Sequence, residues 1–233
     1  MQIITKNVTL VWHNPYITDG LVAMWDGEWN AAGGIHDASA TTWVDLTGNH
    51  RPLAIIPASG AYWKPQSITT EDTSCKIAYA FSPIGERCPF VSCEIVMRRR
   101  GNNWATLVCG GGDGTTGSSG RFAVSFANAR SEIAKATGGT AHAFSATSGS
   151  LTQFHIGDGG AWERGVPLSE SATPMAAWPV CDTIAIGSCY NGSSGSPNYT
   201  NYHEFFSIRL YRRELSPDEI TFNSEIDHER FEV

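Results

Sequence analysis

The sequence predicts an all-β sandwich of antiparallel strands with one short helix near its C-terminus. Short runs rich in β-branched and aromatic residues recur along the chain, each bounded by Gly, Asn, Ser or Pro. Hydrophobic residues make up 41% and charged residues 17%, enough to bury a sizeable core, while 24 glycines suit many tight turns. Helical periodicity is nearly absent outside one C-terminal stretch. At 233 residues the chain fits a single sandwich domain spanning 1–233, with residues 1–18 as an added edge strand or a docking arm.

In chain order the strand candidates are Val8–Trp12, Gly20–Trp25, Thr42–Leu46, Leu53–Ile56, Lys76–Phe81, Phe90–Met97, Trp104–Cys109, Arg121–Phe126, Gln153–Ile156, Thr183–Gly187 and Glu204–Arg212. In the last, Phe206, Ile208 and Leu210 alternate with Ser207, Arg209 and Tyr211, which predicts a half-buried strand. The helix follows it. Ser216 is an N-cap, Pro217 suits the first helical position, and Glu219 completes a capping box with Ser216. Asp218 and Glu219 favour the positive end of the helix dipole. Ile220 and Phe222 are expected to pack on the sandwich. Two Gly/Ser-rich segments, Gly110–Gly120 and Cys189–Tyr202, read as hairpin tips, because strand patterns resume on both sides.

Composition narrows the function. A net charge of −7 argues against general nucleic-acid binding, and no stretch approaches the roughly 18 apolar residues of a membrane helix. The N-terminus has neither a long apolar core nor a small-residue cleavage site, so no signal peptide is expected and synthesis in the cytoplasm is. Arg98-Arg99-Arg100 reads as a solvated strand end. The six cysteines show no C-x-x-C pair and read as small buried thiols.

The acids of "NSEIDHERF" raise a catalytic reading. Glu225, Asp227 and Glu229 would share one face of a strand, but a continuing helix scatters them at about 100° per residue. Asp227 and Glu229 then pair with Arg230 or a strand arginine, and Ile226 and Phe231 anchor the tail. For a glycosidase no pair of carboxylates stands out at either separation such enzymes use; the least unsuitable is Asp26 with Glu28, which alternate at a strand end, and Asp26-Gly27-Glu28-Trp29-Asn30 also reads as a plain turn. Histidines lack zinc-ligand spacing, and neither a phosphate loop nor a nucleophile elbow appears. Calcium suits oxygen ligands from loops, and "WVDLTGNHRPL" offers Asp45 and Asn49; the same residues equally build an Asx-turn. For ligand contact the aromatic and polar loop residues stand out: Trp29 beside Asp26 and Glu28, and Tyr190, Asn191, Tyr199 and Tyr202 in the second Gly/Ser-rich segment.

Two blocks carry a family resemblance. "GLVAMWDGEWNAAGGIHDASATTWVDLTGN" (Gly20–Asn49) resembles the opening of concanavalin A-like, LamG-type (laminin G-like) lectin/glucanase domains. "FFSIRLYRRELSPDEITFNSEIDHERF" (Phe205–Phe231) resembles their closing block. The resemblance implies a two-sheet antiparallel jelly roll and a family that includes both lectins and hydrolases. Some members hold calcium beside a turn like that at Asp45–Asn49, whereas this chain continues with His50-Arg51-Pro52. The "WDGEWN" and "GGIHD" wording also resembles proteins of gut bacteria and their prophages, which implies a virion or surface setting. The expected function is a non-catalytic module that recognises glycans or a cell-surface component, with other virion proteins and copies of itself as further partners. A structural virion protein, as capsid decoration or tail subunit, and a glycoside hydrolase are the alternatives.

Overall fold

Short β-rich runs separated by turn residues satisfy their backbone hydrogen bonds by pairing with neighbours in sequence and across the chain. The computed structural model describes residues 14–56, 61–70, 76–80, 91–98, 105–110, 122–126, 132–137, 140–145, 151–157, 160–168, 183–186, 188–190, 197–200 and 204–233. The strands are β1 (Leu21–Asp26), β2 (Thr42–Trp43), β3 (Leu53–Ile56), β4 (Ala61–Lys64), β5 (Ser67–Thr70), β6 (Lys76–Ala80), β7 (Ser92–Arg98), β8 (Ala105–Gly110) and β9 (Phe122–Phe126). They continue as β10 (Glu132–Thr137), β11 (Thr140–Ser145), β12 (Leu151–Gly157), β13 (Gly160–Glu163), β14 (Val166–Pro167), β15 (Thr183–Ile186), β16 (Ser188–Tyr190), β17 (Pro197–Thr200) and β18 (Glu204–Tyr211). Helix α1 (Pro217–Phe231) follows. The candidate run Val8–Trp12 lies outside the described residues.

The chain is an all-β antiparallel sandwich with a C-terminal helix. One large sheet runs β14-β13-β12-β7-β18-β5-β4. Two strands share one edge of β18: β1 lies along Ser207–Tyr211 and β5 along Glu204 and Phe205. A second sheet, β15-β6-β3-β2, packs over it, and the core is the layer between them. Trp25 from β1, Trp43 from β2, Leu53 from β3, Ile95 from β7, Phe154 from β12 and Ile208 from β18 meet there. A sheet β11-β10-β9-β8 sits beside this one, with β8 next to β15, and β16 and β17 form a two-stranded ribbon against β8.

Helix α1 covers the opposite face of the large sheet. Its capping box is formed: the Glu219 amide donates to Ser216 Oγ at 3.3 Å, and the Ser216 amide donates to Glu219 Oε2 at 2.8 Å. Phe231 and Val233 pack on Val96 and Phe206 at one end, and Ile220 packs beside Tyr211 and Leu215 at the other.

Two expectations are corrected. Phe222 does not dock; it is 46% exposed, because two residues along a helix from buried Ile220 turn the side chain about 200° away. And β18 is not half-buried: all eight of its residues are buried, since the face opposite the core is covered by α1. The alternation is also interrupted. A bulge between Phe205 and Ser207 sends Phe205 into the core and Phe206 to the helix side.

Candidate functional site

Between the large sheet and α1 lies a polar layer. Arg209 of β18 reaches Glu94 of β7 through Nε at 2.8 Å and Asp227 of α1 through both terminal nitrogens, at 2.9 and 2.5 Å. The Tyr16 hydroxyl donates to Asp227 Oδ1 at 2.7 Å, and its ring lies 3.8 Å from the Arg209 guanidinium carbon. Asn223 donates to Glu94 Oε2 at 2.8 Å, and the His155 ring faces Glu94 at 3.5 Å. Burial pushes the Asp227 carboxyl up; Arg209 pulls it back only in part, and Glu94 repels it. Burial also raises Glu94, but Arg209 and His155 outweigh it and hold this carboxyl low. The layer is a closed ion network that fastens the helix, shielded from any ligand.

Of the three acids in "NSEIDHERF", the helix buries Asp227 against a strand arginine, as expected, and leaves Glu225 and Glu229 exposed; the expected pairing of Glu229 with an arginine does not form among the described residues, because Arg230 turns to Asp26 and Glu28 instead. Glu225 and Glu229, with His228 and Val233, line an open cavity of about 600 Å³ between α1 and the Arg164–Gly165 turn that joins β13 to β14.

Arg230 takes the other direction. Its guanidinium meets Asp26 through two hydrogen bonds, at 2.8 and 3.0 Å, and Glu28 at 2.8 Å, and lies 3.7 Å above the Trp29 ring. Burial works against the Arg230 cation, but the bonds to Asp26 and Glu28 hold it charged far above the usual range. Asp26 is fully buried. Its carboxylate also accepts the Glu28 amide at 3.0 Å, and the Gly27 amide donates to the Phe206 carbonyl at 2.7 Å. Asn30 and Asp37 then exchange hydrogen bonds at 2.7 and 2.8 Å to carry the chain onward. Asp26, Glu28 and Trp29 are therefore brought together by a C-terminal arginine, in a turn that locks β1 to α1. The sequence signal for this was Arg230 in the closing block; what it lacked was any hint of a partner in the opening one.

The calcium candidates are engaged in their own turn. Asp45 Oδ1 accepts from the Met24 and Thr47 amides and the Thr47 hydroxyl, at 3.2, 3.0 and 2.7 Å, and Oδ2 accepts from the Arg51 amide at 3.2 Å. Asn49 donates its amide to the Val22 carbonyl at 3.0 Å. This is the Asx-turn arrangement. Among the described residues no cluster of three or more His, Cys, Asp or Glu gathers to hold a metal.

Tyr190 and Tyr199 lie on the β16–β17 ribbon, where Cys189 pairs with Tyr199 and Tyr190 with Pro197, one ladder step apart. Asn191 and Tyr202 lie outside the described residues.

No protein-family model and no curated protein sequence matches the chain. Solved structures match it in shape. A Trypanosoma rangeli sialidase in complex with sialic acid superposes with a TM-score of 0.59 at 14% identity, over 91% of this chain and 33% of that one. The binding domain of botulinum neurotoxin serotype D/C superposes with a TM-score of 0.56 at 11% identity, over 88% of this chain and 52% of that one. A botulinum neurotoxin type C structure, described as showing cell entry dependent on two ganglioside molecules, gives a TM-score of 0.53 at 11% identity. The chain spans 33% of the sialidase and 52% of the serotype D/C toxin domain, and at such identities the likeness is one of fold.

Proposed function

We propose that this chain is a non-catalytic recognition module, of the concanavalin A-like class, that binds glycans or a glycan-bearing surface component. The observation that carries the non-catalytic part is the Arg230 clamp. Asp26 and Glu28 are the acids closest to a glycosidase pair, and one guanidinium ties both at 2.8 to 3.0 Å. The common two-carboxylate mechanism of retaining and inverting glycosidases needs both carboxyl groups free to face a glycosidic bond and a water. The recognition part is supported by the company of the fold: a sialidase described with sialic acid and a neurotoxin described with gangliosides. The wording of the opening block supports a virion or cell-surface setting, with other virion proteins and copies of this chain as further partners.

A glycan array with the purified chain, paired with a reducing-sugar assay on the polysaccharides that bind, tests the reading. Binding to a set of related glycans without turnover is the expected result. Turnover would replace the module with a hydrolase. Silence on every glycan, together with co-purification with virus particles, would replace it with a structural virion protein.

A further inference from the structure

Beyond the end of α1, the large sheet presents a row of side chains on its helix-covered face. Register places Tyr62 of β4 opposite Thr69 of β5, Thr69 opposite Glu204 of β18, and Glu204 opposite Arg98 of β7. Residues directly opposite in antiparallel strands share a face. Lys64, two residues from Tyr62 and paired with Ser67, joins the same face.

The groups converge on one carboxylate. Lys64 Nζ donates to Glu204 Oε1 at 3.0 Å, Ser67 Oγ to the same oxygen at 2.8 Å, and Arg98 Nη1 to Oε2 at 3.1 Å. Burial pushes the Glu204 carboxyl up, but the Ser67 and Lys64 hydrogen bonds and the Lys64 and Arg98 charges prevail and hold it low. Among the described residues two cations therefore flank this one anion, a local positive excess among those residues in a chain whose net charge is −7. The anion is sealed while the cations are open: the side chains of Lys64 and Arg98 are 29% and 41% exposed, against 3% for Glu204. An ammonium has three donors and a guanidinium five, and one of each is engaged with Glu204. Tyr62, 38% exposed, sets an aromatic ring beneath Lys64, whose Nζ lies 5.9 Å from the ring centroid. The buried Thr69 hydroxyl, between Tyr62 and Glu204 in register, has no hydrogen-bond partner.

A structural ion pair needs one cation per carboxylate and no aromatic face. A second, exposed cation beside a ring and an unsatisfied hydroxyl suits a ligand that is anionic, flat-faced and rich in hydroxyls. We propose that Tyr62, Lys64 and Arg98, positioned by Glu204, form a binding site for a carboxylated sugar, a terminal sialic or uronic acid. The ring of the sugar stacks on Tyr62, and its carboxylate meets the free donors of Lys64 and Arg98. This site rests on the glycan reading above and names the ligand class for it.

The test is calorimetric titration of the full chain with sialyllactose, glucuronate-terminated oligosaccharide and neutral lactose, repeated with Tyr62→Ala and Arg98→Gln. Neither change removes the Lys64 and Ser67 partners of Glu204, and thermal melting checks that both variants fold. Binding of at least one acidic sugar about tenfold or more tighter than lactose, weakened about tenfold or more by each variant, is expected. Equal affinity for lactose, or acidic-sugar binding that neither variant alters, overturns the site while leaving glycan recognition standing. Array binding to neutral glycans alone overturns it in the same way. Silence on every glycan removes the glycan reading itself, and the site with it.

Discussion

The Arg209 guanidinium of β18 grips the Asp227 carboxylate of α1 with two hydrogen bonds, and neither side chain meets solvent. The helix is thus held to the sheet at its middle by charge and at its two ends by apolar clusters around Phe231 and Ile220.

Removing one partner of a buried pair leaves an uncompensated charge, at a cost of about 3–5 kcal/mol. Glu94 remains beside Arg209, so Asp227→Ala is expected at the lower end of that range in urea denaturation. Replacing both Arg209 and Asp227 by apolar residues of similar volume should cost less than the two single changes added together, which a double-mutant cycle reads directly.

Phe231 is buried and meets Phe206 edge to face, with ring centroids 5.5 Å apart. Phe231→Ala should lower unfolding free energy by about 3 kcal/mol. Glu225 is exposed, and Glu225→Gln should leave stability within about 0.5 kcal/mol of the parent. Guanidinium melts of the two variants side by side check both statements.

The hydrogen bond from Arg213 pulls the Glu219 carboxyl down to about 2, from an ordinary 4.5, against a smaller upward push from burial. The folded protein therefore keeps this charge to lower pH than the unfolded chain does. Its stabilisation is complete above pH 4.5 and is lost as pH falls towards 2. Glu219→Gln keeps a capping side chain but not the charge, so it should remove that part of the acid dependence, on the order of 0.3–1 kcal/mol for so exposed a pair. Asp227 has the opposite sign: its raised pKa is relieved, not strained, by acid. Denaturation midpoints of parent and variant across the acid range test this.

A Cβ on Gly27 would lie 2.4 Å from the Gln66 carbonyl oxygen, a backbone atom that cannot step aside. Gly27→Ala should cost about 1–3 kcal/mol through that collision. At Gly33 the surroundings are open and the backbone alone objects, with φ at +81°, so Gly33→Ala should cost roughly 1–2 kcal/mol. Thermal melts of the two variants separate crowding from backbone strain.

Legibility in the sequence followed the strength of local signals. The helix was readable because Ser216, Pro217 and Glu219 state its start without reference to the rest of the chain. The strand of Phe206, Ile208 and Leu210 was readable too, but its coverage was not, because the helix that buries its polar face is a tertiary fact. Several hairpins escaped. Lys64 pairs with Ser67 across Pro65-Gln66, where proline marks the turn of a hairpin between strands of only four residues each. Thr137 pairs with Thr140 across Gly138-Gly139, and Gly157 with Gly160 across Asp158-Gly159; both are two-residue hairpin signals. The first joins runs rich in alanine, a weak strand former, and so gave little periodicity to notice. The Asp26–Arg230 tie was least legible of all, since no periodicity links residues so far apart.

The position of β1 has a bearing on how the molecule comes into being. Its pairing partner β18 is fixed through Leu21↔Tyr211 and Asp26↔Ser207, near the other end of the sequence. During synthesis, which runs from the N-terminus at about 5–20 residues per second, β1 emerges long before the strand that will satisfy it. Such distant pairing slows folding, because the loop must close before the contact rewards it. Until β18 and α1 arrive, the apolar Leu21–Asp26 run is an unprotected edge open to association with other nascent copies. The sandwich therefore cannot close until β18 has been made, and chaperone demand should concentrate on that interval.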